Sequence, residues 1–244
     1  MNCTVAELLH FSRCPALYEL HHLQGVPMPP TTRQIVSRAV RALVLEELQA
    51  KIDTGAILEA QEARQRVWKA VDAQMTQDIA YTPQEAAKGQ RTAYEKAARD
   101  AGALLQLWRA VVARLIHPAR LQEPFSEYIR GHCLSGQFEI VENAQIRTIR
   151  VRQQRPANGE AQYDMGAVVQ AVISAKPVVV DYLIDSDPMV VDRQIVEFDG
   201  GKWAAIQERV CVMARCIEAG RLPPADPAYW RCQNCSLRSC CRYV

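Results

Sequence analysis

The chain of 244 residues has no apolar run approaching the roughly 20 residues that cross a bilayer, so no membrane-spanning helix and no membrane partner are expected. Its N-terminus lacks a basic segment followed by an apolar one, and a secreted protein is not expected. Charge of one sign is also missing: 29 Lys and Arg against 27 Asp and Glu leave a net +2. No global field therefore draws it to nucleic acid, and any basic site must be local. Internal repeats, low-complexity segments, a Gly-rich phosphate loop and a Gly-x-Ser-x-Gly turn are absent, as is a defensible Ser/His/Asp set. What is present is ordinary: 49% hydrophobic and 23% charged residues, in a length that suits one large domain or a domain with an insertion.

Cysteine, in contrast, is plentiful, with nine in the chain. In the reducing cytoplasm expected for this protein, thiols serve metals more readily than disulfides. Cys14 lies in Phe11-Ser-Arg-Cys14-Pro15-Ala-Leu-Tyr18, and Cys232, Cys235 and Cys241 form a C-x2-C-x5-C tail. Three thiolates need a fourth ligand, and no histidine lies near the tail. Cys14 fills that place if the N-terminal helix packs beside it, with zinc or an iron–sulfur cluster as the candidates. Cys240 competes with Cys241, and Cys3 with Cys14. Cys133, Cys211 and Cys216 read as buried free thiols.

Periodicity divides the chain in two. Thr4-Val-Ala-Glu7 is a capping box that predicts a helix to about His22, whose His21-His22 pair reads as a solvated helix end. Ile35, Val36, Val40, Leu43, Val44 and Leu48 give residues 33–52 a helical stripe, residues 56–79 look helical, and Thr82-Pro83-Gln-Glu85 opens a helix running to about Ile116. Trp68, Trp108 and Trp203 fall in such stripes and are expected in the core. Beyond residue 122 come three strands (123–133, 134–142, 145–153), a helix (160–173), two more strands (178–184, 190–198) and a last helix from 201. The expectation is an α/β (α+β) core over 122–219 with a helical insertion over 31–118, in one domain of residues 1–244, clasped between residue 14 and 232–241.

The Cys-Pro-x-x-Tyr helix and the C-x2-C-x5-C tail resemble the iron–sulfur nucleases of the PD-(D/E)XK superfamily, among them the CRISPR-adaptation exonuclease and the AddB-type nuclease domain of recombination helicases. The resemblance implies a mixed sheet with flanking helices, a 4Fe–4S cluster on Cys14, Cys232, Cys235 and Cys241, and metal-dependent DNA cleavage. The catalytic motifs of that family depart here. The Gly-x-x-x-His stretch is Ser37-Arg-Ala-Val-Arg41; Gly-x-x-Asp is Gly136-Gln-Phe-Glu139; the acidic-x-Lys strand reads Ile149-Arg150-Val151-Arg152; the helix glutamine matches Gln162, with Gly166 where a tyrosine is expected.

Mg²⁺ or Mn²⁺ needs hard oxygen ligands, and a guanidinium has five donors and no acceptor. Arg152 is no proton acceptor either. On an alternating strand Arg150 and Arg152 share a face. The catalytic centre is therefore read as lost. Arg41, Arg150 and Arg152, with Arg147 or Arg155, would line a former substrate groove and grip DNA phosphates, or else pair with Glu139, Glu142 or Asp164 as a structural network. A displaced metal site of Glu139, Glu160 and Asp164 is the remaining alternative. The expected role is an inactive, DNA-binding or scaffolding subunit beside a helicase, a nuclease or a CRISPR-type complex. The alternatives are an active exonuclease with relocated ligands and a structural partner-binding protein.

Overall fold

A computed structural model of the chain describes residues 1–75, 78–223, 237 and 241. The first element is a short strand, β1 (Asn2–Thr4), which leads directly into α1 (Val5–Arg13). Thr4 and Glu7 form the expected reciprocal cap: the Glu7 amide donates to Thr4 Oγ1 (3.1 Å) and the Thr4 amide to Glu7 Oε2 (2.7 Å). The helix does not run unbroken to His22. Pro15 disfavours helical backbone in the residue before it, and Cys14 is extended (φ −165°). The segment restarts as α2 (Pro15–Tyr18) and continues as a π-helical turn, Glu19–Leu23.

Three long helices follow in this half: α3 (Thr32–Thr54), α4 (Ala60–Met75) and α6 (Gln90–Val111). Between the last two lies α5 (Pro83–Lys88), which begins at the Thr82/Glu85 capping box. The helix expected to be continuous from 82 is split at Gly89, whose φ of 86° leaves the helical region. Val36, Val40, Leu43, Val67, Leu104 and Trp108 knit α3, α4 and α6 into one apolar cluster.

The second half builds the sheet from β2 (Pro118–Ile129), β3 (His132–Glu142), β4 (Ile146–Arg152), β5 (Val178–Ile184) and β6 (Val190–Val196). With β1 they make six strands among the described residues, in the order β1-β3-β4-β5-β6, with β2 also on β3. The pairs β2–β3, β3–β4 and β5–β6 are antiparallel; β1–β3 and β4–β5 are parallel. The parallel β4–β5 pair needs a crossover, and α7 (Met165–Ser174) supplies it after a 3-10 turn at Glu160–Tyr163. The last helix is α8 (Gly200–Glu218).

Helices cover both faces of this mixed sheet. Val178, Val180, Tyr182 and Ile184 pack toward residues of α1, α7 and α8, whereas Ile140, Ile149 and Leu183 join the α3–α4–α6 cluster. All of β5 is buried, as befits a strand with helices on both sides. Trp108 is fully buried and Trp203 packs on the core, but Trp68 is 48% exposed; its position on α4 faces outward beside Tyr94.

Candidate functional site

The hairpin of β3 and β4 sets the site. Its register pairs Ile140 with Arg147 and Val141 with Ile146. One step further brings Glu139 level with Thr148, whose hydroxyl donates to Glu139 Oε2; the Ile149 amide donates to the same oxygen (3.2 Å). Arg41 reaches over from α3, and its Nε donates to Glu139 Oε1 (2.8 Å). Arg150 Nη1 donates to Thr148 Oγ1 (2.6 Å) and lies 3.6 Å from Glu139 Oε2, while its Nε lies 3.7 Å from Asp164 Oδ2. Asp164 in turn caps α7 by accepting from the Gly166 and Ala167 amides (2.9 and 3.2 Å).

Arg41, Glu139, Thr148 and Arg150 line a cavity of about 80 Å³ together with Gln122, Gln137 and Gln170. Gln170 Nε2 donates to the Gln137 carbonyl (3.2 Å), and its Oε1 is buried with no hydrogen-bond partner. Gly136, three residues before Glu139, lies against Phe125: a Cβ there would stand 2.5 Å from the Phe125 ring. The glycine of Gly136-x-x-Glu139 is thus set by packing on the neighbouring strand.

The geometry rearranges several sequence expectations. Arg41, Glu139 and Arg150 do come together. Arg152 shares the strand face of Arg150 but does not line the cavity; it donates to Glu160, with its guanidinium 4.9 Å over the Tyr182 ring. The carboxylate of Glu160 is held below its usual range, chiefly by that Arg152 bond. Gln162 lies in the 3-10 turn rather than on the helix, and accepts from Lys202 Nζ (3.4 Å). The glutamine that α7 offers to the cavity is Gln170, and the residue level with Glu139 is Thr148. The β4 residues that line the cavity are therefore Thr148 and Arg150, not Arg150 and Arg152.

Arg147 belongs elsewhere. It lies on the opposite sheet face, where its Nε donates to Glu142 (2.7 Å) and its Nη1 to Asp181; Arg193 also donates to Asp181 (2.6 Å). Arg155 pairs with Asp192 at 3.4 Å. Glu160 and Asp164 are engaged by Arg152 and Arg150 respectively, so the displaced set of Glu139, Glu160 and Asp164 is threaded by guanidinium groups.

Among the described residues lining the cavity Glu139 is the one carboxylate, and both its oxygens accept hydrogen bonds from the protein. Mg²⁺ and Mn²⁺ require several oxygen ligands and are repelled by adjacent guanidinium groups. The residues present do not fit such an ion.

Of the cysteine set, Cys14 sits half-buried at the α1–α2 break, and Cys241 is half-buried as well. Cys232, Cys235 and Cys240 lie outside the described residues. Four thiolates match a 4Fe–4S cluster in donor number and softness. Cys3 is buried, and burial pushes its thiol up to about 11, which opposes thiolate ligation. Cys133, Cys211 and Cys216 are half-buried rather than buried.

No protein-family model matches the sequence, and no curated protein matches it. Among solved structures, a chain from Eubacterium rectale described as a "putative exonuclease" is similar at a TM-score of 0.54 and 10% identity, over 95% of this chain and 86% of its own. A second structure, of a protein called SSO0001, is 12% identical over 98% of this chain and 95% of its own, with a TM-score of 0.37, too low to argue from. The first likeness extends over nearly the whole chain and shows a nuclease-like α/β fold.

Proposed function

We propose that this protein is a nuclease-fold subunit that does not cut and instead holds DNA, or scaffolds a DNA-processing or CRISPR-type complex. The observation that carries this reading is the occupation of Glu139 by protein donors: a hydroxyl, an amide and the Arg41 guanidinium, with Arg150 at 3.6 Å. Water activation by a divalent ion needs open carboxylate oxygens, and this chain fills them. Arg41 uses its Nε on Glu139 and is 43% exposed, which leaves its terminal N–H groups free to meet a phosphate at the cavity mouth. In this reading Cys14, Cys232, Cys235 and Cys241 hold a 4Fe–4S cluster, which would tie the N-terminal helices to the tail. Such a cluster supplies structural cross-linking here.

A second reading, a structural partner-binding protein without DNA, is favoured by one fact: Arg41, Arg147, Arg150 and Arg152 all have carboxylate partners. The two readings separate in one preparation. Protein purified anaerobically should be brown with broad visible absorption, and should bind DNA with an affinity that falls with salt. Changing Arg41 and Arg150 together to alanine should weaken binding about equally for all sequences and lower the salt slope by about 1 to 2. Binding that is absent, or indifferent to both arginines, leaves the second reading. A colourless protein with zinc on sulfur removes the cluster.

A further inference from the structure

The break at Cys14-Pro15 and the π-helical turn have a second result. Side chains that an unbroken helix would spread apart are gathered on one side. The π turn closes through bonds from Gln24 N to Glu19 O (2.9 Å) and Val26 N to Leu20 O (2.8 Å). It turns His21 and His22 back toward His10 on α1. The three rings have centroids 4.6 to 5.8 Å apart, and one ligand atom from each lies within 4.8 Å of the others. His21-His22 is therefore not a solvated helix end. π turns of this kind recur at functional sites.

Two of the rings have a polar group of the protein behind them. His21 Nδ1 lies 3.0 Å from the Val26 carbonyl, which can only accept; Nδ1 therefore carries the proton, and Nε2 keeps its lone pair. His10 Nδ1 and His22 Nε2 are 2.7 Å apart, so one donates to the other. Burial, the largest cause, holds both below the usual histidine range. The far nitrogen of His22, Nδ1, faces Glu7 Oε1 at 3.9 Å, and the Tyr18 ring stacks on His22 at 5.2 Å. Glu7 is itself fixed by the Thr4 cap. A carboxylate behind a histidine and a carbonyl behind its neighbour are the supports that metal-bound imidazoles take.

We propose that His10, His21 and His22 form a three-histidine site for a zinc-class divalent cation, distinct from the cysteine clasp and from the Glu139 cavity. Imidazole is a borderline ligand that suits zinc, copper and nickel, unlike the hard oxygens that magnesium requires. Zinc–nitrogen bonds of about 2.0–2.1 Å in a tetrahedron set ligand nitrogens about 3.3 Å apart. The His10–His22 contact thus opens by about half an ångström on binding. The proton it held moves to the far nitrogen of its own ring, and both near nitrogens then bind the ion through lone pairs. The fourth position is left to water or an exchangeable ligand.

The test uses the full chain, purified anaerobically, loaded with excess zinc chloride and desalted. Metal analysis should find one zinc per chain that His10→Ala, His21→Ala and His22→Ala each lose, whereas His117→Ala and a Cys232→Ser/Cys235→Ser variant keep it. Zinc-edge X-ray absorption on the unaltered protein provides a check that does not depend on the variants folding. It should give nitrogen neighbours at about 2.0–2.1 Å and no sulfur at about 2.3 Å. Zinc retained in all three histidine variants, sulfur in the zinc shell, or no zinc at all would overturn the site; the last outcome leaves a hydrogen-bonded histidine cluster that only closes the turn.

Discussion

Glu139 and Glu47 are both buried carboxylates met by an arginine, and the comparison shows what each pair does. Glu47 on α3 is fully buried, and Arg109 on α6, which donates to it and to the Leu58 carbonyl, is nearly so. Burial raises the Glu47 carboxyl above its usual value, with the Arg109 bond opposing that rise. Removing Arg109 leaves an uncompensated charge in the core, so Arg109→Ala should lower stability by about 3–5 kcal/mol in urea unfolding. Arg41 is 43% exposed and shares Glu139 with other donors. Arg41→Ala should cost about 1 kcal/mol or less. Equal losses would mean that Arg41 holds the fold together rather than facing a ligand. At this scale the sequence was legible in residue type but not in register. Arg150 and Arg152 lie on one face whichever is nearer Glu139, and only the β3–β4 pairing decides that Thr148 and Arg150 are the ones. Gln170 and Thr148 were missed because neither residue type signals a site by itself. The unpartnered Oε1 of Gln170 is visible only once α7 is docked.

Elements with local causes were readable. The Thr4/Glu7 and Thr82/Glu85 boxes start helices where the residue spacing says they must. The four longer strands after β2 fall within a few residues of their alternation patterns. Elements set by distant partners were not. β1 is three residues long and exists because β3 offers it an edge, pairing Asn2 with Cys133 and Thr4 with Ser135. The break at Cys14 was written in Pro15, yet the π turn that follows has no sequence signature, and with it the histidine cluster stayed hidden. Gly136 shows the same dependence on tertiary contact. Its neighbour Phe125 also packs on Phe138 at 4.7 Å, which limits how far the ring can yield. Gly136→Ala should therefore destabilise the β2–β3 pair by about 1–3 kcal/mol through overpacking. The measurement is thermal or urea unfolding; a neutral result would show that the ring moves freely.

Across the whole molecule, two helical layers enclose a mixed sheet, and the proposed cluster would join residue 14 to a tail more than two hundred residues away. Closing a loop of that length removes unfolded-state entropy worth about 5 kcal/mol in the chain-entropy model. The C-x2-C-x5-C tail is a pattern of spacing that is readable without the fold. The fate of the cavity was legible only in outline, since arginines in place of acids can either bind phosphate or pair internally. Here they pair with Glu139, Asp164 and Glu160. In the proposed reading, a nuclease-like fold is kept while the one carboxylate lining the cavity among the described residues is taken up by protein donors. The most direct measurement is a cleavage assay on single- and double-stranded DNA with Mg²⁺ and with Mn²⁺, run on the unaltered protein and on Glu139→Ala. Neither protein should yield product above the metal-free control. Metal-dependent product from the unaltered protein that disappears in Glu139→Ala would contradict the loss of the catalytic centre.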